Sequence, residues 1–284
     1  MKFLYNEWNK QDTRILVAIG LVFIAVTSIV AISITLSYVY ELPLDRGMSL
    51  LWEQLTIWHG SLFFPIVVSL FVAQSLTSED ERKGWQFMKA NNMCVGQTLL
   101  AKLLSIFIVI AALQVVVCMV FVGAVLMIDG LSFAHISLLT FIHWFALGTV
   151  GTVGLIGVQS YIYIRFRSLA TAVGIATAGS FSGFALFFVG NLGEVIRLMY
   201  PYTQMTVGFR TRELTPMTPT ELLVFMTANI IWFGLGVRLS IQRIKKKPYN
   251  YLNYQKRKSL LMMQSAQNYR KICLGIKYRL KELL

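Results

Sequence analysis

The chain is poor in charge. Only 14% of its 284 residues are Asp, Glu, Lys or Arg, and the acids number 13. Beside 56% hydrophobic and 13% aromatic residues, that is too little to wet the surface of a soluble domain. Histidine is scarcer still: His59, His135 and His143 make up the set. None is followed by the glutamate of an H-E-x-x-H zinc site, and a metal pair from His135 and His143 finds no third ligand in its segment. The three cysteines, Cys94, Cys118 and Cys273, fall in no metal or redox spacing and read as ordinary thiols. No G-x-x-x-x-G-K-[ST] loop occurs, which excludes ATP binding by that route. Carboxylates are missing from the centres of the apolar runs, and with them the usual proton or sodium relay of a secondary transporter. No catalytic constellation is left, so the chain is not read as an enzyme.

What the sequence has is long apolar runs. A bilayer core needs about 20 apolar residues per helix. Six segments meet that test: Ile15 to Tyr40, Ile57 to Leu76, Leu103 to Ile128, Leu131 to Ile164, Leu169 to Val189 and Leu222 to Ile241. The first exceeds a signal-peptide core and precedes no cleavage site, so it is expected to be retained. The fold class is therefore an all-α membrane protein with six transmembrane helices over residues 15–241. With both termini in the cytosol, 22 of the 26 Lys and Arg lie inside, leaving Arg46, Arg197, Arg210 and Arg212 outside.

The flanks follow from composition. Residues 1–14, with Phe3, Leu4 and Trp8 among charges, suit a short interfacial helix or a plain charged flank. From Arg238 onward thirteen Lys and Arg face one acid, Glu282. A basic block after a span reads as a topology signal and a contact with anionic lipid, not as a nucleic-acid site. The tail over residues 242–284 fits an amphipathic helix on the inner leaflet, an ATPase contact or a disordered segment. The external loop over residues 190–221 is too long to be structureless and is expected to hold one or two short interfacial helices.

Within the spans, Gln74, Gln114, Gln159 and Asn229 either line a pathway or hydrogen-bond between helices. Gly148, Gly151, Gly154 and Gly157 walk half-way round the fourth span, which implies flexibility or close packing on two neighbours. Gly179 and Gly183 form a small-xxx-small pair, suited to an internal packing face or a subunit contact.

The segment over residues 77–102 is the sizeable polar stretch between spans. Ser78 is a plausible N-cap, and Glu79, Asp80 and Glu81 suit the positive end of a short helix. Arg82 and Lys83 follow, then Gly84, then Trp85, Phe87, Met88 and Lys89, with the aromatics needing a partner or the headgroup plane to cover them.

An acidic stretch ending in glycine, a short amphipathic helix, and Lys102 opening the next span resemble the membrane subunits of type-2 ABC exporters. The likeness is to permeases of lantibiotic or bacteriocin immunity and peptide export. NEWNK at the N-terminus and YPYTQM in the last external loop are similar too, and the resemblance covers residues 1 to about 241. It implies a cell-membrane permease, in a bacterial plasma membrane, that binds no cofactor itself and uses ATP and Mg through a separate ABC ATPase. Glu79 to Lys89 would be the ATPase-coupling element, and a second permease, identical or different, would complete the path. The cargo would be an amphipathic peptide or hydrophobic compound. The alternative is a non-transporting polytopic immunity or scaffold protein that sequesters a peptide.

Overall fold

The computed structural model describes residues 13–41, 46–91, 93–129, 131–133 and 136–246, and within them every regular element is helical. The expected N-terminal helix lies outside that range save for its last two residues, as do His135 and the tail from residue 247. The chain divides into two units, Met1–Ile244 and Lys245–Leu284; the bundle belongs to the first.

In chain order the helices are α1 (Thr13–Tyr38), α2 (Arg46–Glu81), α3 (Gly84–Ala90), α4 (Val95–Met127), α5 (Leu138–Phe166), α6 (Leu169–Ala185, extended by a tight turn to Phe188), α7 (Asn191–Met199), α8 (Gln204–Gly208) and α9 (Pro219–Lys246). Six of them, α1, α2, α4, α5, α6 and α9, are long and apolar enough to cross a membrane. The protein is a multi-pass membrane protein. α2 and α5 are the most enclosed of the six, and α6 and α9 the least.

α2 departs most from the sequence reading. Residues Arg46–Thr56, expected in an external loop, are helical and continuous with the span. Arg46, Glu53 and Gln54 dilute its hydropathy, but Met48, Leu51, Trp52 and Leu55 recur at helical spacing and are buried. Trp52 anchors the segment. Its ring lies 4.8 to 6.1 Å from those of Phe121, Phe141, Trp144, Phe145 and Phe209, and its indole N–H donates to the Phe209 carbonyl at 3.1 Å. Below it, Ile57–Phe63 widens into a π-helix that turns His59, Gly60 and Ser61 inward. Pro65 lacks the N–H that regular α-geometry would use there, and Phe64 N–H bonds back to the His59 carbonyl.

The fourth span also starts later than expected, at Leu138 instead of Leu131. Ser137 is its N-cap and accepts from Thr140 N–H. The loop after α6 holds two short helices, as the sequence suggested, but α8 is buried throughout and is not interfacial. α9 opens on a capping box in which Thr218 and Glu221 exchange side-chain and backbone bonds.

The α5 glycines let two different neighbours approach. A Cβ on Gly151 would meet the Gln204 carbonyl oxygen at 2.5 Å, and one on Gly148 would strike the Phe209 ring, so this pair admits α8 and the residue after it. Gly154 faces Asn229 and Gly157 faces the Phe233 backbone, so the second pair admits α9. Gly179 and Gly183 on α6 meet Tyr202 and Thr203 within the same chain. Gly151→Ala should therefore lower stability by roughly 1–3 kcal/mol through overpacking against backbone. Gly174→Ala, which meets nothing within 4 Å, should leave it unchanged; thermal unfolding of the two variants in the same detergent checks this.

Candidate functional site

The polar segment between α2 and α4 is mostly helix. α2 continues through Ser78 to Glu81, so Ser78 is no N-cap; its hydroxyl bonds back to the Ser75 carbonyl. Glu79 and Asp80 thus sit at the C-terminal end of a helix, where the macrodipole disfavours negative charge. Each is compensated from another helix. Glu79 is nearly buried and its Oε1 lies 3.2 Å from Nζ of Lys102, itself fully buried two turns into α4. Asp80 pairs with Arg167 in the α5–α6 turn and accepts from the Tyr163 hydroxyl at 3.2 Å. Arg167 holds a left-handed backbone (φ 55°) as the C-cap of α5, a conformation that costs an ordinary residue about 1–2 kcal/mol. Burial pushes its pKa down, and the Arg243 guanidinium pushes the same way.

The chain then turns through Lys83, also left-handed (φ 54°), into the seven-residue α3. Gly84 leaves room for the Glu79 carboxylate, which a Cβ there would force to shift. Trp85 and Met88 pack inward and are buried by the protein itself. Phe87 points the other way and is 66% exposed, with Glu81, Arg82 and Gln86 exposed around it. Lys83 and Lys89 are half-buried. Of the expected coupling residues, then, one group anchors the turn and another forms an outer face.

Three of the four intramembrane amides join helices. Gln159 accepts from Ser69 of α2 at 3.0 Å and donates to the Tyr202 hydroxyl at 2.8 Å. Asn229 donates to Gln204 Oε1 at 3.0 Å and accepts from Gly154 N–H at 3.3 Å. Gln114 lies 3.2 Å from Nε2 of His59. Gln74 alone is exposed on the bundle exterior. Burial, and then the neighbouring Tyr200, push the Tyr202 pKa up and keep its phenol neutral. Among the described residues no three His, Cys, Asp or Glu side chains come together as a metal site.

At the opposite end, Arg197 and Arg210 are buried and Arg212 stacks on Phe187 and Phe188. Sequence reading passed over these three arginines as external loop charges. Their signal was there: three of the four cations left outside are concentrated in one external loop, against the inward bias of the other 22.

Lys102→Met should destabilise the chain by about 3–5 kcal/mol, because Glu79 would stay buried without its cation. Adding Glu79→Gln should restore much of that loss, and thermal or denaturant unfolding of the single and double variants reads it. No family model matches the chain and no curated protein is significantly similar to it, so its function is argued from this geometry.

Proposed function

We propose that this protein is the membrane-spanning permease subunit of an ATP-driven ABC exporter, with α3 as the element that meets the ATPase. The observation that carries the reading is the two-sided character of the α2–α3 junction. One side is anchored to α4 and to the α5–α6 turn through Glu79 and Asp80. The other presents Phe87 among polar side chains, outside all six spans. A force applied to α3 would reach three spans through one buried and one half-buried ion pair, which is what a motor outside the membrane needs.

In this reading the α3 end faces the cytosol of a bacterial cell, with both termini there, in keeping with the positive charge at that side. ATP and Mg act through the separate ATPase, and a second permease of the same or a different sequence completes the path. The cargo class is an amphipathic peptide of bacteriocin or lantibiotic type, or a hydrophobic compound. Glu81, Arg82, Gln86 and Phe87 make the docking contact, while Glu79, Asp80, Gly84, Trp85 and Met88 position the helix that bears them.

Phe87→Asp tests this without disturbing the fold. Co-expressed with a candidate ABC ATPase that co-purifies with the unaltered chain, the variant should lose at least tenfold in ATPase co-purification and in export, with its thermal midpoint unchanged. Normal association and normal export would refute the docking role.

A further inference from the structure

α7 is amphipathic with its apolar side turned outward. Leu192, Val195, Ile196 and Met199, at i, i+3, i+4 and i+7, are all exposed, whereas Gly193 and Arg197 are buried. A helix of nine residues cannot cross a bilayer, and an apolar stripe left outside a membrane bundle suits a helix lying in the interfacial plane. Two cavities adjoin it. One, of about 170 Å³, is lined by Arg197, Arg210, Arg212 and Thr211, with Glu194, Glu213 and Glu221 around them. The other, of about 300 Å³, is an apolar groove between α7 and α9, lined by Met199, Leu223, Thr227, Ile231 and Trp232. Leu198 lines the first and Met199 the second, so the two succeed one another along α7.

The charges in the first cavity are unequally satisfied. Arg210 is held 2.6 Å from Glu213, 3.5 Å from Glu221, and donates to the Thr215 carbonyl at 2.8 Å. Arg212 donates to the Phe187 carbonyl at 2.7 Å and has Glu53 of α2 within Coulombic range. Arg197 is different. It is 8% exposed, its guanidinium lies 4.2 Å from the centre of the Phe187 ring, and its side chain makes no hydrogen bond or ion pair among the described residues. Two carboxylates, Glu213 and Glu194, and two guanidiniums, Arg212 and Arg210, lie within Coulombic range of it, yet none of them pairs with it directly. A buried guanidinium with unmet donors is costly unless an acceptor comes to it.

We propose that these two cavities form one phospholipid site. The lipid phosphodiester docks on Arg197 with Arg212 beside it, and one acyl chain lies in the α7–α9 groove against Trp232. The cation selects the phosphate, and the adjoining apolar groove selects a lipid over a free anion. Glu194, exposed at the rim, suits an ammonium on the same headgroup, which makes phosphatidylethanolamine the fitting probe. The site stands apart from α3 and does not rest on the export reading.

Native mass spectrometry of the full chain in detergent, without any ATPase, tests it. One phosphatidylethanolamine should bind per chain, and dioleoylglycerol with the same acyl chains should bind at least tenfold more weakly. Inorganic phosphate should not displace the lipid. Arg197→Gln should weaken lipid binding about tenfold or more. Thr227→Trp, which fills the groove and leaves every arginine in place, should do the same. Equal binding of dioleoylglycerol, displacement of the lipid by inorganic phosphate, or undiminished binding in Thr227→Trp would each overturn the proposal. The last of these decides the matter even if Arg197→Gln does not fold.

Discussion

Two carboxylates at the C-terminal end of α2 set much of this architecture. Glu79 and Asp80 face an unfavourable helix dipole and, for Glu79, near-complete burial. Each is paired with a cation brought from elsewhere in the chain. Lys102 supplies one from α4, and Arg167 supplies the other from the α5–α6 turn. Meeting the two demands fixes the end of α2 against three other spans and leaves α3 no freedom except to fold back across the junction. Gly84 eases that return by leaving room for the Glu79 carboxylate.

The same economy of buried polarity governs the interior. In a hydrocarbon surrounding, each side-chain amide needs a partner within the protein. Gln159 and Asn229 find theirs partly on Tyr202 and Gln204, residues of the loop between α6 and α9. That loop can enter the bundle because the α5 glycines let its backbone approach and because Gln204 donates to carbonyls left free at the end of α7. Irregular backbone at this depth is tolerable when it is enclosed by protein in this way.

How far the sequence spoke depended on the range of the interaction. The six spans were legible because bilayer thickness imposes a run length that any window detects. Gln114, Gln159 and Asn229 make the inter-helix contacts that were one of two readings open on composition, and Gln114 also lines a cavity of about 790 Å³ between α4 and α5. The helical start of α2 was hidden because its apolar stripe is diluted by Arg46, Glu53 and Gln54, so a hydropathy window saw a loop where a helical period was present. Ser78 to Glu81 misled for a related reason. Serine followed by acids is a local N-terminal signal, and only the distant partners Lys102 and Arg167 reveal that these acids end a helix. Which aromatic of α3 needed covering was not legible either: Trp85 and Met88 turn inward and Phe87 turns out. The clustering of the three loop arginines was visible in the sequence, but what distinguishes Arg197 from Arg210 needed tertiary structure, since it is which of them met a carboxylate.

If the two ion pairs are what hold α3 in place, its position relative to α4 should depend on the two acids. Spin labels at Gln86 and Leu104, both exposed, would report that distance in the full chain in nanodiscs with Cys94, Cys118 and Cys273 replaced by serine. Pulsed electron resonance should give one narrow distance distribution, broadened by Glu79→Gln combined with Asp80→Asn. An equally narrow distribution in the acid variant would contradict the account.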